Sequence, residues 1–327
     1  MTAIETEGTT TADFRSIPIV DISPLRGADA AARAACGRAI DAACRNVGFF
    51  YARGHGVDSA VLSGVFAAAR AFFALPEVEK MRVAMKASPL FRGYFPLGGE
   101  VTDPAVGGDV KEGFDMALDL SPDDPDVRAG KPLHGPNQWP AGPAGFRDAL
   151  TRYYDALADL GRLISRGLAL GLRLPESFFA ANLDRPTAIL RVLHYPPQDA
   201  PIGPPGCGAH SDYGYLTILA QDEVGGLQVQ NRAGEWIDAP PVPGTFVCNL
   251  GEMMGQWTND QYPATRHRVI NLSGRERYSV PFFFHPNFDV EVSCLPSCQG
   301  PGNPPRHAPV MSGDYVLKRL TESYIKL

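Results

Sequence analysis

The chain has 327 residues, 44% of them hydrophobic, which is enough to bury a large core in one or two domains. Its net charge of −6 is spread along the sequence without a basic block, so nucleic acid is not an expected partner. No apolar run approaches the length of a membrane span.

Residues 1–16 are polar and Thr-rich and lack the apolar centre of a signal peptide. We expect a disordered lead-in there and a cytoplasmic protein. Cys36, Cys44, Cys207, Cys248, Cys294 and Cys298 are scattered through a chain too long for a disulfide scaffold, so all six are expected to be reduced. The Cys294/Cys298 pair lacks the further ligands that a zinc site needs.

Ile17–Ile22 is a short apolar run that predicts a strand, and the Ala-rich stretch from Ala28 to Cys44 predicts a helix. Gly48–Arg53 is aromatic and strand-like. Asp58 or Ser59 can cap a helix running to about Leu75, and Pro76 opens a shorter one. From Ser88 to Pro143 the chain is irregular, with one expected strand at Lys111–Met116. Leu150, Tyr153, Tyr154, Leu157, Leu160, Leu163, Ile164 and Leu168 then recur at three- and four-residue steps, the signature of a long scaffold helix that Pro175 stops. After Thr187 the period changes. Segments near Ala188–Tyr195, Tyr215–Gln221, Leu227–Gln230, Trp236–Asp238, Thr245–Leu250, Arg266–Asn271 and Tyr278–Phe284 read as strands separated by Gly, Pro and Asn. Asp314–Tyr324 closes the chain as a helix.

Evenly spaced short strands fit a jelly roll. The expected fold is therefore mixed α/β: a jelly-roll core over residues 187–290, a helical and irregular part over 17–145, a scaffold helix over 146–181, and a C-terminal segment and helix over 291–327.

The chemistry concentrates between Gly208 and Pro281. His210 and Asp212 are two apart, which on a strand places them on one side, and His267 can return on another strand. Two imidazoles and a carboxylate suit non-haem Fe(II) with open positions. Arg277 follows on a later strand, and its planar fork matches a carboxylate. Each piece alone is commonly structural; the full set is not. His55, His134, His194, His285 and His307 are given no metal role.

Taken together, His210-x-Asp212, His267 and Arg277-x-Ser279 resemble the iron(II)- and 2-oxoglutarate-dependent oxygenases of the isopenicillin N synthase-like family. Gly48–Tyr51 with His55–Val57, Leu190-Arg191 with Tyr195-Pro196, Gly225–Val229, Asn249–Gly251 and Phe282–Asn287 extend the resemblance over nearly the whole chain. It implies a double-stranded β-helix that binds Fe(II), 2-oxoglutarate and O2. It also implies oxidation of a small molecule, by hydroxylation foremost, with release of succinate and CO2. Arg277, Ser279 and Tyr195 would take 2-oxoglutarate. Leu193 stands where plant members carry Asn, so one polar contact is missing. Two other readings use the same residues: an oxidase that needs no 2-oxoglutarate, like isopenicillin N synthase itself, and a non-catalytic jelly roll that binds a small molecule.

Arg191, Tyr213, Phe284, Phe91, Glu100 and Thr102 are the candidates for lining the substrate space. Glu100-Val101-Thr102 resembles a loop that meets a guanidinium in the family's ethylene-forming enzyme. This resemblance implies a basic amino acid or guanidino compound as one substrate, with Arg191 taking its carboxylate.

Overall fold

A computed structural model describes residues 13–198 and 205–324. Of the expected lead-in, residues 1–12 lie outside the described residues, whereas Phe14 packs against the core and its carbonyl accepts from Asn231.

The N-terminal part contributes strand β1 (Ile19–Asp21), helix α1 (Ala30–Asn46), strand β2 (Phe49–Arg53), helix α2 (Ser59–Phe73) and the single turn α3 (Glu77–Lys80). Asp29 and Asp58 cap α1 and α2 by accepting from backbone N–H groups of the first turn, as their side chains allow. Strands β3 (Gly93–Phe95) and β4 (Glu112–Ala117) and the short helix α4 (Pro125–Arg128) interrupt the irregular stretch. The scaffold helix α5 spans Phe146–Gly171.

Next come β5 (Ile189–Tyr195), β6 (Cys207–His210), β7 (Leu216–Gln221), β8 (Leu227–Gln230), β9 (Trp236–Asp238) and β10 (Thr245–Leu250). Helix α6 (Glu252–Trp257), β11 (His267–Val269), β12 (Arg277–Phe284) and helix α7 (Ser312–Tyr324) complete the site-bearing part. The strand expectations hold to within about two residues, in line with how boundaries behave. β3, β6 and α6 are too short to leave a periodic signal in the sequence.

Two sheets form. The larger runs β1-β2-β10-β7-β12-β5-β4-β3, and the smaller runs β6-β11-β8-β9. Strands from before the scaffold helix thus extend the same sheet as the jelly-roll strands. Along β5 and β12 the odd-numbered side chains face the smaller sheet and line a cavity. The even-numbered ones face the helices. Tyr154 of α5 meets Phe282 edge-on at 5.1 Å, and Phe73 of α2 lies 5.5 Å from the His194 ring.

The same alternation places Phe284 against α5. It is fully buried, and its ring lies so close to Gly161 that a Cβ there would sit 2.7 Å from Cδ1. Phe284→Ala should therefore cost about 3–5 kcal/mol of stability, as large aromatic deletions in closed cores do. Phe283→Ala, on the partly exposed cavity side, should cost clearly less. Chemical denaturation of the two variants checks the order, and equal losses would contradict this assignment of faces.

Candidate active site

The two sheets enclose a cavity of about 190 Å³. His210 ends β6 and His267 begins β11, and the antiparallel register sets them opposite each other with ring centres 4.2 Å apart. Asp212 does not share the strand, contrary to the sequence argument. It sits just past the end of β6 in a segment without regular structure, and the turn rather than the pleat brings it inward. One ligand atom from each of the three residues lies within 4.8 Å of the others.

The hydrogen bonds around this group leave the right atoms free. The Nδ1 atoms of His210 and His267 face the carbonyls of Gly208 at 2.8 Å and Thr265 at 3.2 Å, which assigns the proton to Nδ1 and the lone pair to Nε2. Thr217 and Asn249 both donate to Asp212 Oδ2, each at 2.6 Å. Asp212 Oδ1 is left facing His210 Nε2 at 3.7 Å and His267 Nε2 at 3.8 Å. Burial works against the Asp212 charge, but the two imidazoles and the two hydrogen bonds outweigh it and hold the carboxyl below its usual range. Burial, reinforced by His210, pushes His267 down to about 4 and keeps it neutral. A donor set of two imidazole nitrogens and one carboxylate oxygen, open toward the cavity, fits Fe(II).

Arg277 also lines the cavity and is 1% exposed. Its Nε donates to the Gly225 carbonyl at 2.5 Å, and its guanidinium stacks on Tyr195 with 4.7 Å to the ring centre. Register explains the stack, since Arg277 pairs with Tyr195 and Ser279 with Leu193 across β12 and β5. Among the described residues no carboxylate lies within ion-pair distance of Arg277, and Nη1 has no hydrogen-bond partner. A buried cation in this state calls for an anion.

Another part of the wall is charged. Arg191 makes a fork-to-fork pair with Asp115, both bonds at 2.8 Å, and also reaches Glu100 at 2.9 and 3.1 Å. Asp115 on β4 lies directly opposite Arg191 on β5, so Arg191 is already paired within the protein before any substrate enters. Lys111 joins Glu100 at 2.9 Å and Asp109 at 2.7 Å. Thr102 donates to the same Asp109 carboxylate.

Thr102, Glu100, Arg191 and Tyr213 line the cavity as expected. Phe91 and Phe284 do not. Phe91 faces a separate small cavity with Leu90, Met116 and Leu133, because its residue takes a left-handed turn with φ 54°. Phe284 sits on the helix-facing side of β12, one residue from the cavity-facing Phe283. Thr217, Asn249, Lys111, Asp115 and Arg319 escape the sequence reading. Thr217, Asn249 and Asp115, polar residues inside strands, carry a sequence signal for their burial.

His285 is buried against the backbone. Its ring packs on the backbone of Gly214, where no Cβ would fit, and its Nδ1 accepts from Tyr215 N at 3.4 Å.

Residues 17–142 match the family described as non-haem dioxygenase in morphine synthesis, N-terminal. Residues 186–286 match the 2OG-Fe(II) oxygenase superfamily. The chain belongs to the Fe(II)- and 2-oxoglutarate-dependent oxygenases.

Its metal is Fe(II), and 2-oxoglutarate and O2 are its co-substrates. This oxygenase is 40% identical over 315 residues to the 2-oxoglutarate-Fe(II) type oxidoreductase hxnY of Emericella nidulans, covering 94% of this chain and 90% of that one. It is 36% identical over 328 residues to homoarginine-6-hydroxylase 2-ODD-233 of Oryza sativa, covering 96% and 99%. A full-length Neurospora crassa protein, crystallised in complex with alpha-KG, superposes with a TM-score of 0.84 at 29% identity, covering 94% of this chain and 96% of that one.

Burial pushes His285 down to about 4 against an ordinary 6.5, so the folded oxygenase holds it neutral. Between those values the unfolded chain takes up a proton that the folded one refuses, so this contribution is intact above pH 6.5 and is lost as pH falls toward 4. Unfolding measured across that window should show stability falling with pH, less steeply in His285→Gln. An identical slope in the variant would contradict the assignment.

Proposed function

We propose that this oxygenase hydroxylates a basic amino acid or guanidino compound, with His210, Asp212 and His267 holding Fe(II). Arg277, Ser279 and Tyr195 then hold the far carboxylate of 2-oxoglutarate. The unmatched Nη1 of Arg277 supports the second assignment.

One observation carries the substrate class. The wall formed by Glu100, Asp109, Lys111, Asp115 and Arg191 contains three carboxylates and two cations, all buried or nearly so. Burial raises the Asp115 carboxyl above its usual range, and the paired Arg191 offsets this only in part. Arg191 and Lys111 outweigh burial at Glu100 and hold it ionised. A guanidinium or ammonium entering beside Glu100 and Thr102 would balance the wall. Homoarginine-6-hydroxylases of Oryza sativa, Glycine max and Arabidopsis thaliana, at 36%, 40% and 39% identity, support the same class.

In this reading the protein positions rather than reacts. When bound, iron with 2-oxoglutarate and O2 supplies the oxidant for an aliphatic C–H bond, and succinate and CO2 leave. Arg277 fixes the orientation of the co-substrate by charge and by its fork. Arg191, locked on Asp115, fixes Glu100. Glu100 anchors the cationic end of the substrate, and the length of that side chain then decides which carbon faces the metal.

Incubation with Fe(II), 2-oxoglutarate and arginine, homoarginine or lysine should raise succinate formation above the substrate-free background. Glu100→Gln should lower kcat/KM for the responding compound about tenfold to a hundredfold, the worth of a lost charge-assisted bond. His267→Ala should abolish iron binding and turnover. If none of the three stimulates while an uncharged aromatic or terpenoid acid does, the substrate class falls. Undiminished turnover in His267→Ala removes the metal assignment.

A further inference from the structure

Ser211 stands between two proposed metal ligands, and its hydroxyl points away from them. It donates at 2.9 Å to Glu252 Oε1. Glu252 opens α6, and its backbone N–H donates to the Asp212 carbonyl at 2.8 Å. The next N–H, of Met253, donates to the Tyr213 carbonyl at 3.2 Å. The first turn of α6 is thus fastened to the segment that carries His210 and Asp212.

The other Glu252 oxygen reaches the far end of the chain. Oε2 accepts from Tyr315 Oη at 2.8 Å and from Arg319 Nη1, both on α7. Arg319 lies 5.2 Å from the centre of the Tyr213 ring, and Arg319, Leu320 and Ser323 line the cavity. One carboxylate therefore joins the metal-ligand segment to the helix that walls the substrate space. Only a side chain with two acceptor oxygens satisfies all three donors at once.

We propose that Glu252 is a positioning residue that docks α7 on the metal-ligand segment and so sets the substrate-facing wall. This rests on reading the cavity as the Fe(II) and substrate site, but not on the identity of the substrate. Loosening α7 would move Arg319 and Leu320 and leave Arg277, held on β12 by Gly225 and Tyr195, in place. The expected kinetic signature is a raised KM for the prime substrate, more succinate formed without product, and an unchanged KM for 2-oxoglutarate.

Hydrogen exchange on the full-length protein, loaded anaerobically with Fe(II) and 2-oxoglutarate, tests this without a prime substrate and so stands or falls apart from the basic amino-acid reading. Glu252→Gln and Arg319→Glu should each speed exchange across residues 312–324 about fivefold to tenfold, with α5 unchanged. The reversed pair, Glu252→Arg with Arg319→Glu, should recover part of the protection that Arg319→Glu alone loses, the ion pair being restored but not the acceptor for Ser211 and Tyr315. Ser211→Ala, whose hydroxyl reaches α7 through Glu252, should speed exchange in α7 by about twofold, and this effect should vanish in a Glu252→Ala background, where no acceptor remains at that position. Unchanged exchange in Glu252→Gln, no recovery in the reversed pair, or a Ser211→Ala effect that persists without Glu252 would each overturn the proposal.

Discussion

A guanidinium with 1% of its surface exposed and no carboxylate within reach among the described residues is the constraint on which the site depends. Removing a charge from water costs several kcal/mol unless an opposite charge or a full set of hydrogen bonds replaces the solvent. At Arg277 the Gly225 carbonyl, a longer contact to Gln221 and the Tyr195 ring supply part of that replacement. In the proposed reading an anionic co-substrate supplies the rest. The strand alternation that buries Arg277 also turns Ser279, Pro281 and Phe283 into the same cavity, so the charge and the space beside it come from one structural cause.

The metal end obeys a complementary rule. There each polar atom not facing the centre has a partner: carbonyls on both Nδ1 atoms, and Thr217 and Asn249 on Asp212 Oδ2. The unpartnered atoms are the three that converge. A cavity with a satisfied periphery, with converging electron pairs in one part and an unmatched cation in another, suits the chelating anion proposed for it.

Much of this is legible in the sequence, and the exceptions have physical causes. His210, Asp212, His267, Arg277 and Ser279 stand out because their residue types are costly to bury and their spacing survives in the linear chain. The long helix announces itself through its 3.6-residue period. Phe284 is misplaced by a single step of the two-residue period: counted in twos from Arg277 and Ser279, the cavity face of the strand falls on Phe283, while the apolar run Phe282-Phe283-Phe284 shows no alternation of its own. Phe91 is misplaced because a left-handed residue in an irregular stretch redirects the chain without altering composition. Arg191 falls on the cavity wall as expected, yet its partner Asp115 follows from strand pairing across a long interval, which no local pattern records. The same holds for Lys111 and for the bridge from Ser211 through Glu252 to Arg319. Tertiary pairing decides those residues.

The most direct test is an anaerobic titration of 2-oxoglutarate into the Fe(II)-loaded protein and into its Arg277→Ala variant. The wild type should bind one 2-oxoglutarate per chain. In the variant, iron should still bind, and 2-oxoglutarate affinity should fall on the order of a hundredfold or more. Arg277→Lys should recover part of that loss, because a point charge lacks the fork. Equal 2-oxoglutarate affinity in wild type and Arg277→Ala would contradict the role given to Arg277, since the buried cation would then have no part in holding the co-substrate.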